Sequence, residues 1–199
     1  MTEDSIGILN YKNAGNIHSV YKAALQVTSR VRLINTPREL NSVSKIILPG
    51  VGSYREAIAS LQKLGFMDEL KKTSQPILGI CVGMQVLSRL GYENGLTPGL
   101  NLIDGEVKPI VCQNKVPHVG FNNINVVNES KLLKGLNGKK FYFMHSYEFV
   151  NYQNISALTD YMGHQFVSAI EKDNIFGVQF HPEKSRRDGI TVLENFLKI

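Results

Sequence analysis

No stretch of this sequence approaches the roughly 20 consecutive apolar residues that a membrane-crossing helix requires; its apolar runs have the length of buried strands. A transmembrane segment is therefore not expected. The polar, acidic start Met1-Thr2-Glu3-Asp4-Ser5 lacks the basic and then apolar pattern of a secretory leader, so the expected location is cytoplasmic. Cysteine is scarce as well. Cys81 and Cys112 are the only two in 199 residues, too few for a disulfide scaffold, and without a C-x-x-C spacing they make no zinc site. Internal repeats, low-complexity tracts and linkers are missing too, and the length suits one domain over residues 1–199 with a substantial core. Neither sign of charge dominates: 22 Lys and Arg stand against 17 Asp and Glu. The excess is scattered, with pairs only at Lys71-Lys72, Lys139-Lys140 and Arg186-Arg187. That distribution reads as solvated surface rather than a nucleic-acid footprint, though it could attract a phosphorylated substrate or an acidic partner subunit.

What is present is an alternation of short apolar runs and amphipathic stretches. Ile6 to Leu9, Val31 to Ile34, Lys45 to Leu48 and Ile77 to Ile80 read as strands, the first of them buried. Between them, a helix is expected from an Asn16 cap through about Val27, after turn residues Asn13 to Asn16. Thr36-Pro37-Arg38-Glu39 opens a helical turn, and Ser53 to Leu64 and Phe66 to Lys71 have helical periodicity. This rhythm predicts an α/β fold with a mostly parallel, doubly wound sheet flanked by helices, its active site beyond the carboxyl ends of the strands. After Leu90 the rhythm changes. Shorter strand candidates at Val107 to Val111, Ile124 to Val127, Lys140 to Phe143, Phe166 to Ile170 and Ile175 to Gln179 predict an added, smaller antiparallel layer in the second half, before a last helix from about Asp188 to Leu197.

The chain is organised around Gly79-Ile80-Cys81-Val82-Gly83, which has the spacing of a nucleophile elbow with cysteine at its apex. A side chain at either glycine would crowd a sharp strand-to-helix turn, and glycine accepts the backbone angles needed nearby. A helix starting at the thiol would favour the thiolate. Taken alone, a buried cysteine is an inert small hydrophobe; a nucleophile needs a base. Of five histidines, His181 ends the apolar run Ile175 to Phe180 and precedes Pro182-Glu183. If that segment is extended, residues two apart share a side, and Glu183 can orient the imidazole. Cys81, His181 and Glu183 then have the chemistry of acyl transfer through a thioester. The oxyanion site is expected from the Val82 backbone N–H with a donor from the Gly50, Val51, Gly52 loop. Cys112 has no comparable neighbours in sequence and reads as structural.

Two motifs, Gly79-Ile80-Cys81-Val82-Gly83-Met84-Gln85 and Gln179-Phe180-His181-Pro182-Glu183, make the chain resemble the class I glutamine amidotransferases nearly end to end. The narrower resemblance is to the glutaminase subunits of imidazole glycerol phosphate synthases, through Leu48 to Gly52, Val116 to Gly120, Phe141 to Tyr147 and His181 to Ser185. The resemblance implies that Cys81 attacks the side-chain amide of glutamine, with His181 as base and acid, while Gln85, Glu93, Ser146 and Tyr147 hold the amino-acid end. It implies no cofactor and no metal. Ammonia would pass to a separate (β/α)₈ cyclase or synthase subunit in a heterodimer, near Tyr142, His145 and Lys184. A paralogue serving another acceptor, such as a surface-sugar amidotransferase, and an inactive regulatory subunit are the alternatives. The chain departs from the family's usual pattern at Tyr11 to Asn16, at Phe121, where the family usually has tryptophan, and at Ser88 to Tyr92.

Overall fold

The computed structural model describes residues 4–11, 16–50, 52–113, 115–150 and 152–199. Asn13 to Gly15 of the expected first turn and Val51 of the expected oxyanion loop lie outside the described residues, as do Met1 to Glu3 and Lys12.

The first half follows the predicted alternation: β1 (Ile6–Leu9), α1 (Ile17–Ala24), β2 (Val31–Ile34), a 3₁₀ turn (Pro37–Ser42), β3 (Lys45–Leu48), α2 (Tyr54–Lys63), α3 (Phe66–Lys72) and β4 (Ile77–Ile80). The strands sit where continuous apolar runs place them. All four residues of β1, β3 and β4 are buried, whereas β2, at the sheet edge, is only partly covered. Ser53 caps α2 by accepting a hydrogen bond from the Glu56 N–H at 3.3 Å. The Thr36 turn is 3₁₀ rather than α. Glu39 there accepts from the Asn35 N–H at 2.7 Å.

After β4 come α4 (Val82–Gln85) and a set of short strands: β5 (Leu90–Gly91), β6 (Thr97–Pro98), β7 (Glu106–Pro109), β8 (His118–Asn123), β9 (Asn125–Val126), β10 (Lys140–His145), β11 (Tyr147–Val150), β12 (Ile155–Tyr161), β13 (His164–Lys172) and β14 (Ile175–Val178). A 3₁₀ turn (Pro182–Lys184) leads into α5 (Arg186–Leu197). The main sheet has eight strands in the order β2-β1-β3-β4-β14-β13-β12-β9, parallel from β2 through β14 and antiparallel beyond. Two small sheets, β10-β8 and β11-β7-β5-β6, add the expected second layer. Three expected members of that layer, β9, β13 and β14, belong to the main sheet instead. β14 pairs parallel with β4, Val178 opposite Ile80, at the centre of the main sheet. Its four residues are all buried, and so it resembles the first-half strands in composition.

Consequently β3, β4 and β14 lie side by side and end at one edge, delivering Pro49, Cys81 and the segment to His181 to the same place. Beneath that edge an aromatic core closes the space between sheets: the Phe141 and Phe180 rings stack at 4.1 Å, and Phe143 meets Phe166 edge-on at 5.4 Å.

Candidate active site

The turn after β4 is as sharp as the sequence predicts. Cys81 has φ 53° and ψ −113°, a conformation that non-glycine residues rarely adopt. Such backbone strain persists only where the surroundings hold it. Here the Cys81 N–H donates to the Val178 carbonyl at 2.8 Å, fastening the elbow to β14. The two flanking glycines serve close approach rather than unusual angles, since neither has a positive φ. A Cβ on Gly83 would lie 1.8 Å from the Leu48 carbonyl oxygen, and one on Gly79 would lie 2.6 Å from the Gly83 oxygen. Gly50 completes the packing: a Cβ there would lie 2.4 Å from the Gly83 nitrogen. The loop after β3 is thereby pressed against the start of α4. Val82 N–H makes no backbone hydrogen bond to a described residue outside that helix, as first-turn donors do not. α4 is a single turn, too short for the strong helix field that the sequence suggested.

The sulfur of Cys81 is buried among polar groups. Its thiol can donate to the Met144 carbonyl at 3.8 Å, and it accepts from Gln179 Nε2 at 3.6 Å. His181, fully buried, holds Nδ1 2.8 Å from Glu183 Oε1. The pair forms because Pro182–Lys184 coils into a 3₁₀ turn and not, as expected, through an extended strand end. Two anchors hold the ring in place. The His181 N–H donates to the Tyr142 carbonyl at 2.8 Å, and Ser185 Oγ donates to the His181 carbonyl at 2.6 Å. Asn16, expected as a helix cap, makes no capping bond. Its Nδ2 donates to Glu183 Oε1 at 2.7 Å, so the same carboxylate oxygen faces both the imidazole and the amide.

Burial by itself would lower the affinity of His181 for its proton, but hydrogen bonding and charge from Cys81 and Glu183 outweigh it and raise the pKa to about 10. A folded-state value above the ordinary 6.5 stabilises the fold fully below about pH 6.5, and that contribution disappears as pH rises through about 10. A His181→Asn variant should therefore lose less stability than the parent between pH 6.5 and 10. Urea unfolding midpoints across that range would show it; parallel profiles for the two chains would contradict it.

Cys81 opens into a cavity of about 270 Å³ lined by Gly52, Val82, Gln85, Glu93, Ser146 and Tyr147 among others. Glu93 accepts from the Tyr54 N–H at 2.6 Å, and burial raises its pKa. A carboxylate in this wall can meet an ammonium group, while backbone donors across from it can meet a carboxylate. Gln85 Nε2 donates to the Tyr147 carbonyl at 3.0 Å and to Gln179 Oε1 at 3.1 Å. His145 also lines the cavity. Its Nδ1 lies 2.9 Å from the Tyr147 carbonyl, which can only accept, so its Nε2 accepts in turn from His118 Nδ1 at 3.2 Å. Burial, the first cause, lowers the His145 pKa to about 3, leaving a neutral ring.

Cys81, His181, Glu183, Val82, Gly50, Gly52, Gln85, Glu93, Ser146 and Tyr147 are thus gathered at one edge. The three residues expected near a partner divide: Tyr142 and Lys184 are together, with Nζ 5.5 Å from the ring, whereas His145 is buried on the other face of β10. Phe121 joins Tyr142 and Lys184, 5.5 Å from Tyr142 and beneath Arg186 at 5.2 Å. Three contributors escaped the sequence reading. Asn16 carried a cap signal, Gln179 stood inside an apolar strand candidate, and Met144 acts through its carbonyl, for which no side-chain signal exists. Among the described residues, no group of three or more His, Cys, Asp or Glu is placed to hold a metal ion. No helix there is long and apolar enough to cross a membrane.

The family profile described as Glutamine amidotransferase class-I matches residues 10–199. Among curated proteins, the chain is 41% identical over 203 residues to "Imidazole glycerol phosphate synthase subunit HisH 1" of Campylobacter jejuni subsp. jejuni serotype O:23/36 (strain 81-176), covering 98% of this chain and 100% of that one. It is 42% identical over 209 residues to "Imidazole glycerol phosphate synthase subunit HisH" of Pelagibacter ubique (strain HTCC1062), with the same coverage of 98% and 100%. Among solved structures, "Structure of PurLQS from Thermotoga maritima" superposes with a TM-score of 0.78 at 19% identity, covering 100% of this chain and 99% of that chain. "Crystal structure of glutamine amidotransferase" does so with a TM-score of 0.77 at 16% identity, covering 98% and 99%.

Proposed function

Because the chain belongs to the class I glutamine amidotransferases, we propose that it is the glutaminase subunit of an imidazole glycerol phosphate synthase. It would act as one domain over residues 1–199 in the cytoplasm. The observation that carries the reading is the cavity in which the buried Cys81 thiol, with His181 and Glu183 behind it, faces Glu93 and Tyr147.

Glutamine enters with its α-ammonium toward Glu93 and its amino-acid end held by Gln85, Ser146 and Tyr147. The Cys81 proton, already held on His181, leaves the sulfur free to attack the side-chain amide carbon. The oxygen of the tetrahedral intermediate takes donors from Val82 and the Gly50, Val51, Gly52 loop, of which Gly50 packs closely against Val82 and Gly83. His181 then gives its proton to the departing nitrogen, so that ammonia leaves and a glutamyl thioester remains. Water, deprotonated by His181, attacks the thioester; the carbon–sulfur bond breaks, glutamate is released, and the proton stays on His181. Glu183, held by Asn16, keeps the imidazole in the orientation both steps need.

Curated relatives about 40% identical over nearly the whole chain carry the name of this synthase subunit, which favours a separate cyclase as receiver of the ammonia. The cluster of half-buried Tyr142 with exposed Lys184, Phe121 and Arg186 supports a docking face beside the catalytic edge, with aromatic anchors and cations of the kind enriched in interfaces. The test is to purify the chain with the cyclase and measure glutamate release with and without the cyclase's nucleotide substrate. Release that rises at least about tenfold on adding both, and falls back with Tyr142→Ala, is expected. Stimulation by a sugar amidotransferase partner and none by the cyclase would overturn the choice of acceptor; no release with any partner would overturn the glutaminase reading.

A further inference from the structure

Gln179 is fully buried at the end of β14, two residues before His181, and it touches the nucleophile. Its amide has only one possible orientation. The Tyr147 carbonyl can only accept, so the Gln85 atom 3.0 Å from it is the amide nitrogen. That nitrogen can only donate, so the Gln179 atom 3.1 Å from it is the carbonyl oxygen. The NH₂ group of Gln179 is left to face Cys81 Sγ, at 3.6 Å. A backbone acceptor in the cavity wall thus dictates, through two side-chain amides, that an N–H points at the sulfur.

We propose that Gln179 is a catalytic residue: a hydrogen-bond donor to the Cys81 sulfur, held in its donating orientation by Gln85. The proposal deepens the glutaminase reading and rests on it for the reaction that the sulfur performs. A donor that gives up no proton stabilises negative charge on sulfur both when the thiolate attacks and when it departs from the thioester. In the thioester the sulfur carries little charge and the bond weakens, so the interaction favours the two transition states over the intermediate between them. Because Gln85 also lines the glutamine cavity, the residue that meets substrate and the one that meets the sulfur belong to one hydrogen-bonded chain.

The test is made on the full chain with iodoacetamide at a series of pH values, reading alkylation of the Cys81 and Cys112 peptides separately by mass spectrometry. Gln179→Met removes the donor at nearly constant volume. It should move the Cys81 profile up by about one pH unit and leave Cys112 where it was. In complex with the cyclase the same variant should lose about 10–100-fold in kcat with KM changed less than about threefold. Gln179→Glu keeps an acceptor for Gln85 and sets a carboxylate against the sulfur, which should raise the Cys81 profile further. A Cys81 profile in Gln179→Met that superimposes on the parent's overturns the proposal even if turnover falls, because packing loss alone would do that. Should Gln179→Met fail to give a native circular dichroism spectrum, an unmoved profile in Gln179→Glu overturns it instead. A shifted profile in a chain that hydrolyses no glutamine with any partner would sink the glutaminase reading and leave the donor standing; full turnover with an unshifted profile would do the reverse.

Discussion

Cys81→Ala should remove glutamine hydrolysis from the complex by at least about 10³-fold while leaving ammonia-dependent synthesis by the cyclase within about twofold of the parent. The asymmetry follows from the site. The thiol lines the cavity and has behind it an imidazole and carboxylate pair, with His181 and Glu183 2.8 Å apart. Alanine deletes one sulfur atom at a buried position without disturbing the loops around it. His181→Ala should cost a similar amount, and the double variant little more than either single one, because groups that act as a unit are not additive. Glutamate release and ammonium-driven turnover, measured on the same preparation, check both arms. Retained hydrolysis in Cys81→Ala would mean that another group forms the acyl intermediate. Loss of the ammonium-driven reaction would mean that the variant had disturbed the subunit contact.

How much of this could be read in advance differs along the chain for physical reasons. The strands Ile6–Leu9, Val31–Ile34, Lys45–Leu48 and Ile77–Ile80 fall where the apolar runs placed them. Strands buried on both faces leave a continuous apolar signal that needs no knowledge of neighbours. β8 and β11 left none, because they combine polar residues such as Asn122, Asn123 and Glu148 with half-buried positions whose partners are distant in sequence. The elbow was legible since its spacing is local. So was the identity of the Glu183 partner, though the conformation that joins it to His181 was not: a Pro at the first position suits either an extended segment or a 3₁₀ turn. Asn16 is the instructive case. Before a helix an Asn signals a cap, yet its amide here reaches Glu183, 167 positions away. Long-range pairing of that kind overrides a local preference worth about 1 kcal/mol.

Gly83→Ala should destabilise the fold by at least about 3 kcal/mol, or leave a folded chain that cannot hydrolyse glutamine. The added Cβ would lie 1.8 Å from the Leu48 carbonyl oxygen and 2.8 Å from its carbon. Both are backbone atoms of β3, whose four residues are buried and which pairs with β1 on one side and β4 on the other. No rotamer change can relieve the overlap; either the strand or the elbow must move. Movement of the elbow carries Val82 away from Gly50, which now sits within 2.4 Å of the Gly83 nitrogen measured from the Cβ it lacks. The proposed oxyanion donors, Val82 and the loop at Gly50, would then no longer lie side by side. Gly95→Ala is the control: nothing lies within 4 Å of its added Cβ, and only its φ of 101° penalises a side chain, so it should lose about 1 kcal/mol. Urea midpoints for the two variants separate crowding from backbone preference. Equal small losses would mean that the edge of β3 yields easily, and the close contact at Gly83 would then no longer account for the elbow's fixed position.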